Sequence, residues 1–223
     1  MQQLLLELAP PPAPTLDNFV PGRNCLALQA LRDIAQGETS ERFVYLWGEP
    51  GSGRSHLLRG LAQAAAGRKA LYASAVPEGC PDGDRVLAMD NVHALAPEAQ
   101  VRLFDLYNSA RAGSGALVAS GDAAPGQLAL REDLRSRLAW GLAFQLHPLS
   151  DEEKAAALRG HARARSMALG EESIAYLLKH ARRDMASLIG ILDALDRYSL
   201  EHKRPLTLPL LRDALESMKD QPA

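Results

Sequence analysis

The sequence is 223 residues long, carries a formal net charge of -2, and is 47% hydrophobic and 23% charged. This composition is typical of a soluble globular protein of one or two domains, and it argues against a strongly basic nucleic-acid-binding chain. The two cysteines, Cys25 and Cys80, match neither a metal-binding spacing nor a disulfide framework. Without a signal peptide or an apolar run long enough to cross a membrane, a cytoplasmic location is expected.

The N-terminal segment is a short apolar peptide followed by a proline-rich stretch from Ala9 to Pro14. Consecutive prolines favour an extended chain that does not join a helix. A terminal peptide of exposed leucines is either an interaction element or a strand folded back onto the domain. Composition alone favours neither alternative.

A glycine-rich segment, Gly48–Ser55, lies between two periodic patterns. A helix with its buried face at Leu28, Leu31 and Ile34 is predicted to end before it, at Gly37. The apolar run 43–47 then predicts a strand, and the leucines after Ser55 predict a helix. Strand, glycine-rich turn and helix form the context of a phosphate-binding loop, in which backbone N–H groups and the helix dipole attract phosphate.

One position of this loop departs from the G-x-x-x-x-G-K-[ST] pattern, because Arg54 replaces the lysine. Arginine keeps the charge and can bind phosphate through two hydrogen bonds. It is also larger, so we expect nucleotide binding with slow hydrolysis. The alternative is a glycine-rich turn that binds no ligand.

A second apolar run, 86–89, ends in Asp90 and Asn91. A short strand at 70–73 and a loop at 77–84 are predicted before it. An acid that follows a buried strand lies at the carboxyl edge of a parallel sheet, where ligands bind, and can hold Mg²⁺ through water. Standing alone, Asp90 would be only an acid at a strand end. Asn91 cannot act as a base, which also indicates weak hydrolysis.

The next elements are a helix from about Pro97 to Ala112 and a buried strand at 116–120. Asp122 follows that strand, either beside the γ-phosphate or as a simple turn residue. The segment 131–141 contains three arginines, for which a solvated helix face is the plainest interpretation. A last strand at 143–146 is predicted to end at His147 and Pro148.

After Pro148 the pattern becomes purely helical. Ser150 and Glu153 form a capping box, and four helices without a strand predict a small α-helical domain. We therefore expect three parts: a peptide and linker at 1–14, an α/β domain at 15–148, and a helical domain at 149–223.

These motifs together resemble the AAA+ architecture and, within it, the DnaA-related family, with its regulatory Hda group closer than the initiators. The segments that carry the resemblance are Asp17–Gly22, Tyr45–Trp47, Gly53–Leu58, Met89–Asn91, Phe104–Asn108, Ser136–Gly141 and Pro148–Lys154. The resemblance implies an α/β P-loop NTPase domain with a parallel sheet, followed by a small α-helical lid domain.

The resemblance also implies a nucleotide site for ADP or ATP, with ADP favoured, formed by an adenine segment, the phosphate loop and a sensor-1 residue. Its candidate residues are Asn18, Phe19, Val20, Pro21, Gly22, Gly48, Glu49, Pro50, Gly51, Ser52, Gly53, Arg54, Ser55, His56 and Asp122. Ser55 and Asp90 would hold Mg²⁺. Arg137 matches the arginine finger, which stabilises transition-state charge on a nucleotide held by a neighbouring subunit.

Two further features bear on partners. The peptide Gln3-Leu4-Leu5-Leu6-Glu7-Leu8 resembles the motif that binds the DNA sliding clamp, which favours the interaction alternative for the N-terminus. The sensor-2 arginine of the family is replaced by Ala186, with Arg183 three residues earlier as a candidate substitute. Loss of that arginine favours a nucleotide-binding regulator over an active ATPase.

The resemblance implies a regulator of replication initiation that binds the clamp and stimulates ATP hydrolysis by the initiator DnaA, which prevents re-initiation. DNA would be contacted indirectly through the clamp, no membrane partner is expected, and self-association is left open. The alternatives are a non-catalytic AAA+ adaptor that recruits DnaA-family proteins, an autonomous AAA+ ATPase, and a structural role without nucleotide.

Overall fold

The computed structural model describes residues 12–77, 85–181, 184–202 and 207–219. The predicted clamp-binding peptide, most of the 77–84 loop and Arg183 lie outside the described residues. The chain divides into two compact units, one formed by residues 14–148 and one that contains the residues from 149 onward.

Within the described residues, the first unit has five strands and four α-helices. In chain order they are α1 (Cys25–Gln36), β1 (Phe43–Gly48), α2 (Arg54–Ala64), β2 (Leu71–Ala73), β3 (Val86–Met89), α3 (Pro97–Ala112), β4 (Ala116–Gly121), α4 (Glu132–Leu138) and β5 (Leu142–Leu146). The predicted order of strands and helices in this unit is confirmed. Four strand limits differ by one residue, since β1 ends at Gly48, β2 begins at Leu71, β4 ends at Gly121 and β5 begins at Leu142.

The described strands form one parallel sheet in the order β2-β3-β4-β1-β5. Trp47 of β1 lies opposite Gly121 of β4, and Met89 of β3 lies opposite Ala119 of β4. The carboxyl ends of β1, β3 and β4 therefore meet at one edge. In open parallel sheets this edge, where neighbouring strands are not consecutive in the chain, is where ligands bind.

Helices cover both faces of the sheet. Val44 and Leu46 of β1 pack with the buried residues of α1 and α2 on one face. Tyr45, whose side chain points to the opposite face, packs with those of α3 and α4. The continuous apolar strands of the sequence are thus explained, because a strand covered by helices on both sides needs no polar face.

The second unit is helical within its described residues. Its helices are α5 (Asp151–Ala164), α6 (Glu171–His180), α7 (Met185–His202) and α8 (Leu208–Lys219), and their buried faces form one apolar cluster. The predicted capping box is present: Glu153 N donates to Ser150 Oγ at 3.2 Å and Ser150 N donates to Glu153 Oε2 at 2.8 Å. No helix in the described ranges is long and apolar enough to cross a membrane.

Candidate nucleotide-binding site

The glycine-rich loop leaves the end of β1 and turns into α2. Gly48, Gly51 and Gly53 all have positive φ, and Gly53 is the N-cap of α2 with a φ of 95°. A Cβ atom at Gly53 would lie 2.6 Å from Cε2 of Phe19, so this position has no room for a side chain. The loop thus has the left-handed backbone that glycine allows, and its open face ends at the amino end of a helix, where phosphate binds.

The segment predicted to lie near the adenine packs against the start of α2. Asn18 and Thr15 close a turn through two hydrogen bonds, of 2.9 and 3.0 Å. The Phe19 ring lies 5.4 Å from the His56 ring, and His56 Nε2 is 3.0 Å from the carbonyl oxygen of Thr15. Burial lowers the pKa of His56, which the Thr15 contact only partly offsets. A neutral His56 therefore connects this segment to the phosphate loop.

The remainder of that segment is fixed by a side chain that the sequence did not single out. Asn24 is buried, and its Nδ2 donates to the His147 carbonyl at 2.9 Å while its Oδ1 accepts from His147 N at 2.8 Å. Asn24 N also donates to the Pro21 carbonyl at 2.7 Å. The residues Val20, Pro21 and Gly22 are therefore held beside the carboxyl end of β5.

Arg54 occupies the lysine position of the loop and contacts the end of β4. Its Nη1 donates to the backbone carbonyl of Gly121. A guanidinium has five N–H donors in a planar fork, so this contact leaves others for a phosphate. A lysine would have a shorter, more flexible reach and no fork, whereas Arg54 joins the phosphate loop to the neighbouring strand.

Asp90 lies at the end of β3 and is almost fully buried. Tyr72 Oη donates to its Oδ2 at 2.8 Å, and both Ser120 Oγ and the amide of Asn91 donate to its Oδ1. Burial raises the pKa of Asp90, but hydrogen bonds from Ser120, Ser55, Tyr72 and the Asn91 amide outweigh that effect and lower it below 3.8. The site therefore contains a carboxylate that is ionised at neutral pH.

Asn91 has a left-handed backbone, with a φ of 54°. Asparagine tolerates this conformation better than most residues with a side chain. The same conformation places Asn91 N 3.0 Å from Asp90 Oδ1 and 3.2 Å from Ser120 Oγ. Asn91 thus contributes to the site by positioning Asp90 through its backbone, while its amide side chain offers no base.

The residues present fit a magnesium nucleotide. Ser55 hydrogen-bonds Asp90, which brings together the hydroxyl and the carboxylate predicted to hold Mg²⁺. Mg²⁺ takes its remaining ligands from phosphates and water, so a larger cluster is not required. In the described part of the chain, no group of three or more histidine, cysteine or acidic side chains is arranged to hold a metal. The buried Ser52 Oγ has no hydrogen-bond partner among the described residues, as expected for a polar atom beside a ligand.

Asp122 follows β4 and is exposed to solvent, unlike the buried Asp90. Its Oδ1 lies 3.9 Å from His93 Nδ1, which is too long for a hydrogen bond. Tyr45 Oη, buried beneath it, donates to the Ala123 carbonyl at 2.8 Å. Burial, together with the charge of Asp122, raises the pKa of Tyr45, so its hydroxyl remains a donor and fixes the turn that carries Asp122.

Arg137 belongs to α4, and the contacts described for its guanidinium are with aromatic rings. Its guanidinium carbon lies 3.6 Å from the centre of the Trp140 ring and 4.8 Å from that of Phe104. Of the three arginines in the segment, Arg131 is exposed and pairs with Asp133 at 2.7 Å, as a solvated helix face would. Arg135 and Arg137 are half-buried, so that interpretation covers only part of the segment.

The structure therefore brings most of the candidate residues to one edge of the sheet. The adenine segment, the phosphate loop, His56, Asp90 and Asp122 are found there, with Glu49 and Pro50 exposed on the loop. Sequence analysis missed Tyr72, Ser120 and Asn24, each of which binds a candidate residue or its neighbour. Ser120 and Tyr72 could have been found from the sequence, because each is a polar residue inside an otherwise apolar strand.

A parallel sheet with helices on both faces, a glycine-rich loop after β1, an acid after β3 and a helical unit that follows are the features of the AAA+ fold. Residues 151–215 match the family model described as the Hda lid domain. The fold is also that of solved DnaA structures. Domain III of DnaA from Thermotoga maritima matches with a TM-score of 0.70 and 22% identity, over 94% of this chain and 97% of that one.

Two further solved structures have the same fold. DnaA from Aquifex aeolicus bound to AMPPCP matches with a TM-score of 0.69 and 20% identity, over 87% of this chain and 67% of that chain. A RuvB variant from Thermotoga maritima matches with a TM-score of 0.64 and 19% identity, over 93% and 74%. These findings show that the chain has the AAA+ fold found in DnaA and RuvB, and that residues 151–215 are similar to the lid domain of Hda.

Proposed function

We propose that this protein is a nucleotide-binding regulator of replication initiation that stimulates hydrolysis of the ATP bound to the initiator DnaA. The observation that carries the proposal is the Hda lid match at 151–215, on a chain with the DnaA fold and a glycine-rich loop that leads into α2. In this proposal ADP or ATP, with Mg²⁺ at Ser55 and Asp90, stabilises the protein, while the chemistry takes place in the site of another protein.

Two residues, Asn91 and Arg137, explain why this protein would bind nucleotide while the hydrolysis takes place on DnaA. Asn91 stands where a base would orient the attacking water, and an amide cannot accept that proton. Arg137 has a guanidinium that no described carboxylate pairs with and that rests on the Trp140 ring instead. Such a cation, supplied in trans, stabilises charge on a transferring phosphoryl group and accounts for roughly 1,000-fold or more in rate. Self-association through the same residue is an alternative outcome.

The N-terminal peptide Gln3–Leu8 supplies the proposed attachment to the DNA sliding clamp. Exposed apolar peptides at the end of a stiff linker are suited to bind a pocket on a partner. Attachment to a clamp on DNA would concentrate the protein where replication has begun, and would bring it to DnaA without direct DNA contacts.

The test is the rate of ATP hydrolysis by DnaA in the presence of clamp-loaded DNA, ADP and this protein. The wild type should accelerate hydrolysis, Arg137→Ala should abolish the acceleration while still binding the clamp, and Arg131→Ala should behave as the wild type. Arg131 is the matched control because it lies in the same segment but is exposed and paired with Asp133. Loss of both clamp binding and acceleration in Arg137→Ala would refute the role given to that arginine.

A non-catalytic adaptor that recruits DnaA-family proteins is the second candidate. The absence of a sensor-2 arginine at Ala186 disfavours an active ATPase and is equally consistent with an adaptor. An adaptor would bind DnaA without changing the rate of its ATP hydrolysis, so the same assay combined with a binding measurement separates the two candidates.

A further inference from the structure

Arg137 rests on aromatic rings rather than on a carboxylate. The Trp140 ring is the nearest, at 3.6 Å, and Phe104 adds a second ring at 4.8 Å. Both distances are within the range in which the negative face of an aromatic ring attracts a cation. The Arg137 Nε atom is buried and has no hydrogen-bond partner in the described part of the chain. The guanidinium is thus fixed by stacking while its N–H donors remain uncommitted.

Arg137 differs from the arginines of the chain that form ion pairs. Arg131 and Arg159 each form a short ion pair, with Asp133 and Glu171, at 2.7 Å. Within the described residues Arg137 has no such pair. A carboxylate partner would compete with any incoming anion, whereas a ring attracts the cation without occupying its donors. The arrangement at Arg137 suits a cation that must meet an anion from another molecule.

A second arginine uses the same ring. Arg111, in the last turn of α3, has its guanidinium carbon 4.3 Å from the centre of the Trp140 ring. In the described ranges it too has no ion pair. Both guanidinium groups contact the same indole, so positive charge is concentrated at this point of the surface, and an anion bound near both would be attracted by both.

The local chain explains why Trp140 is held in place. Trp140 N donates to the Arg137 carbonyl at 3.1 Å, which closes a tight turn at the end of α4 and puts the two side chains three residues apart. Gly141 follows, where a Cβ atom would lie only 1.8 Å from the Phe43 carbonyl oxygen. The chain can therefore approach β1 this closely only with glycine at that position.

This approach also anchors the indole to the core. The Phe43 ring lies 6.2 Å from Trp140 in an edge-on arrangement and 5.6 Å from Tyr107 in a stacked one, and Tyr107 is fully buried in the sheet-facing side of α3. Trp140 is partly exposed to solvent, and on its inner side it contacts Phe43, which in turn stacks on the buried Tyr107. Such a support limits the positions available to Arg137.

We propose that Trp140 is the positioning residue for Arg137, and that Arg111 supplies a second positive charge to the same anion site, which takes phosphate groups of a nucleotide held by a neighbouring protein. This inference rests on the proposed function of Arg137. It goes further because it assigns roles to Trp140 and Arg111, and because it accounts for the absence of a carboxylate partner.

The kinetic test compares Trp140→Ala with Trp140→Phe in the stimulation of DnaA. For Trp140→Ala the maximal stimulated rate should fall by about ten-fold, since a cation–π contact and exact placement are lost together. The concentration that gives half-maximal stimulation should change by less than about two-fold, because binding of DnaA does not depend on this ring. Trp140→Phe, which retains a ring face, should recover most of the rate. An unchanged maximal rate, or a loss through half-saturation alone, would overturn the proposal.

A second measurement does not depend on the proposed function. The chain has two tryptophans, so a Trp47→Phe background makes Trp140 the single tryptophan. Quenching of its fluorescence by acrylamide should increase in Arg137→Ala and in Arg111→Ala, because each guanidinium shields the ring, and should not change in Arg131→Ala. Thermal unfolding of each variant checks that the fold is intact.

The two measurements separate the two claims. If quenching increases but the wild type does not stimulate DnaA, the proposed function fails while the aromatic support for Arg137 stands. If quenching is unchanged in Arg137→Ala, the contact is absent in solution and the positioning proposal is refuted, whatever the activity. If quenching and maximal rate respond together, both claims are supported.

Discussion

Replacing Tyr72 by phenylalanine should strengthen the binding of Mg²⁺ at the nucleotide site. Tyr72 Oη donates to Asp90 Oδ2 at 2.8 Å, and three other donors, from Ser120, Ser55 and the Asn91 amide, use the same carboxylate. A carboxylate has about four acceptor positions, so all are engaged. A Mg²⁺ ion, or a water bound to it, must displace one of these donors to reach Asp90.

The magnitude follows from the hydrogen bond that is lost. A hydrogen bond to a charged acceptor contributes about 1.5–3 kcal/mol, and the half-buried Tyr72 places it at the lower end. If Mg²⁺ no longer has to displace it, its affinity should rise by up to about ten-fold, since about 1.4 kcal/mol corresponds to that factor. The free energy of unfolding without ligand should fall by about 1 kcal/mol, because Asp90 loses one of its partners.

The assay is a Mg²⁺ titration of the protein bound to a fluorescent ADP analogue, starting from EDTA, with the Mg²⁺ midpoint as the readout. Tyr72→Phe should lower the midpoint and Asp90→Asn should remove the Mg²⁺ response. Tyr176→Phe, in α6, is the matched control and should leave the midpoint unchanged. An unchanged or higher midpoint in Tyr72→Phe would refute the competition between Tyr72 and Mg²⁺.

Three further changes test the supports of the site. Gly53→Ala should lower the free energy of unfolding by about 1–2 kcal/mol in urea titrations and should also weaken nucleotide binding. The φ of 95° at this position disfavours a side chain, and Phe19 would have to move to make room for one. A variant as stable as the wild type would contradict the contact between Gly53 and Phe19. Asn24→Ala should cost about 2 kcal/mol by the same measurement, because two buried hydrogen bonds to His147 are lost. His56, whose pKa is lowered by burial, takes up a proton more readily in the unfolded chain, so stability should decrease as the pH falls below about 6.5. That decrease should be smaller in His56→Gln, and an identical pH profile would contradict the assignment.

The framework of the α/β unit could be predicted because each of its signals is local. The apolar run 43–47, the glycines after it and the leucines of α2 define strand, turn and helix within about twenty residues. Asp90 at the sheet edge followed from the same logic, since an acid after a buried strand must lie at its carboxyl end. The capping box at Ser150 was equally local.

The contacts that complete the site could not be predicted because they join distant parts of the chain. Asn24 and His147 are 123 residues apart, and Tyr72 reaches Asp90 across two neighbouring strands. Nothing in the spacing of Arg54 indicated a contact with Gly121, because that requires the strand order β3-β4-β1. Strand order depends on the packing of the whole sheet rather than on any one segment.

Arg137 shows both what the sequence could indicate and what only the structure shows. Its segment was recognised through family resemblance, and charge pattern alone suggested a solvated face. The contact with Trp140 depends on the turn after α4 and on the space that Gly141 leaves beside Phe43. A pattern of arginines therefore indicates a candidate, whereas the ring under the guanidinium distinguishes one arginine from its neighbours.

The most direct test of the central claim is to follow which bound nucleotide is hydrolysed. This protein is loaded with labelled ATP and mixed with DnaA that carries ATP with a different label, on clamp-loaded DNA, and both products are measured in a single turnover. The account predicts rapid conversion of the ATP on DnaA and slow conversion of the ATP on this protein. Rapid hydrolysis of its own ATP, with the ATP on DnaA unchanged, would contradict the account and identify an autonomous ATPase.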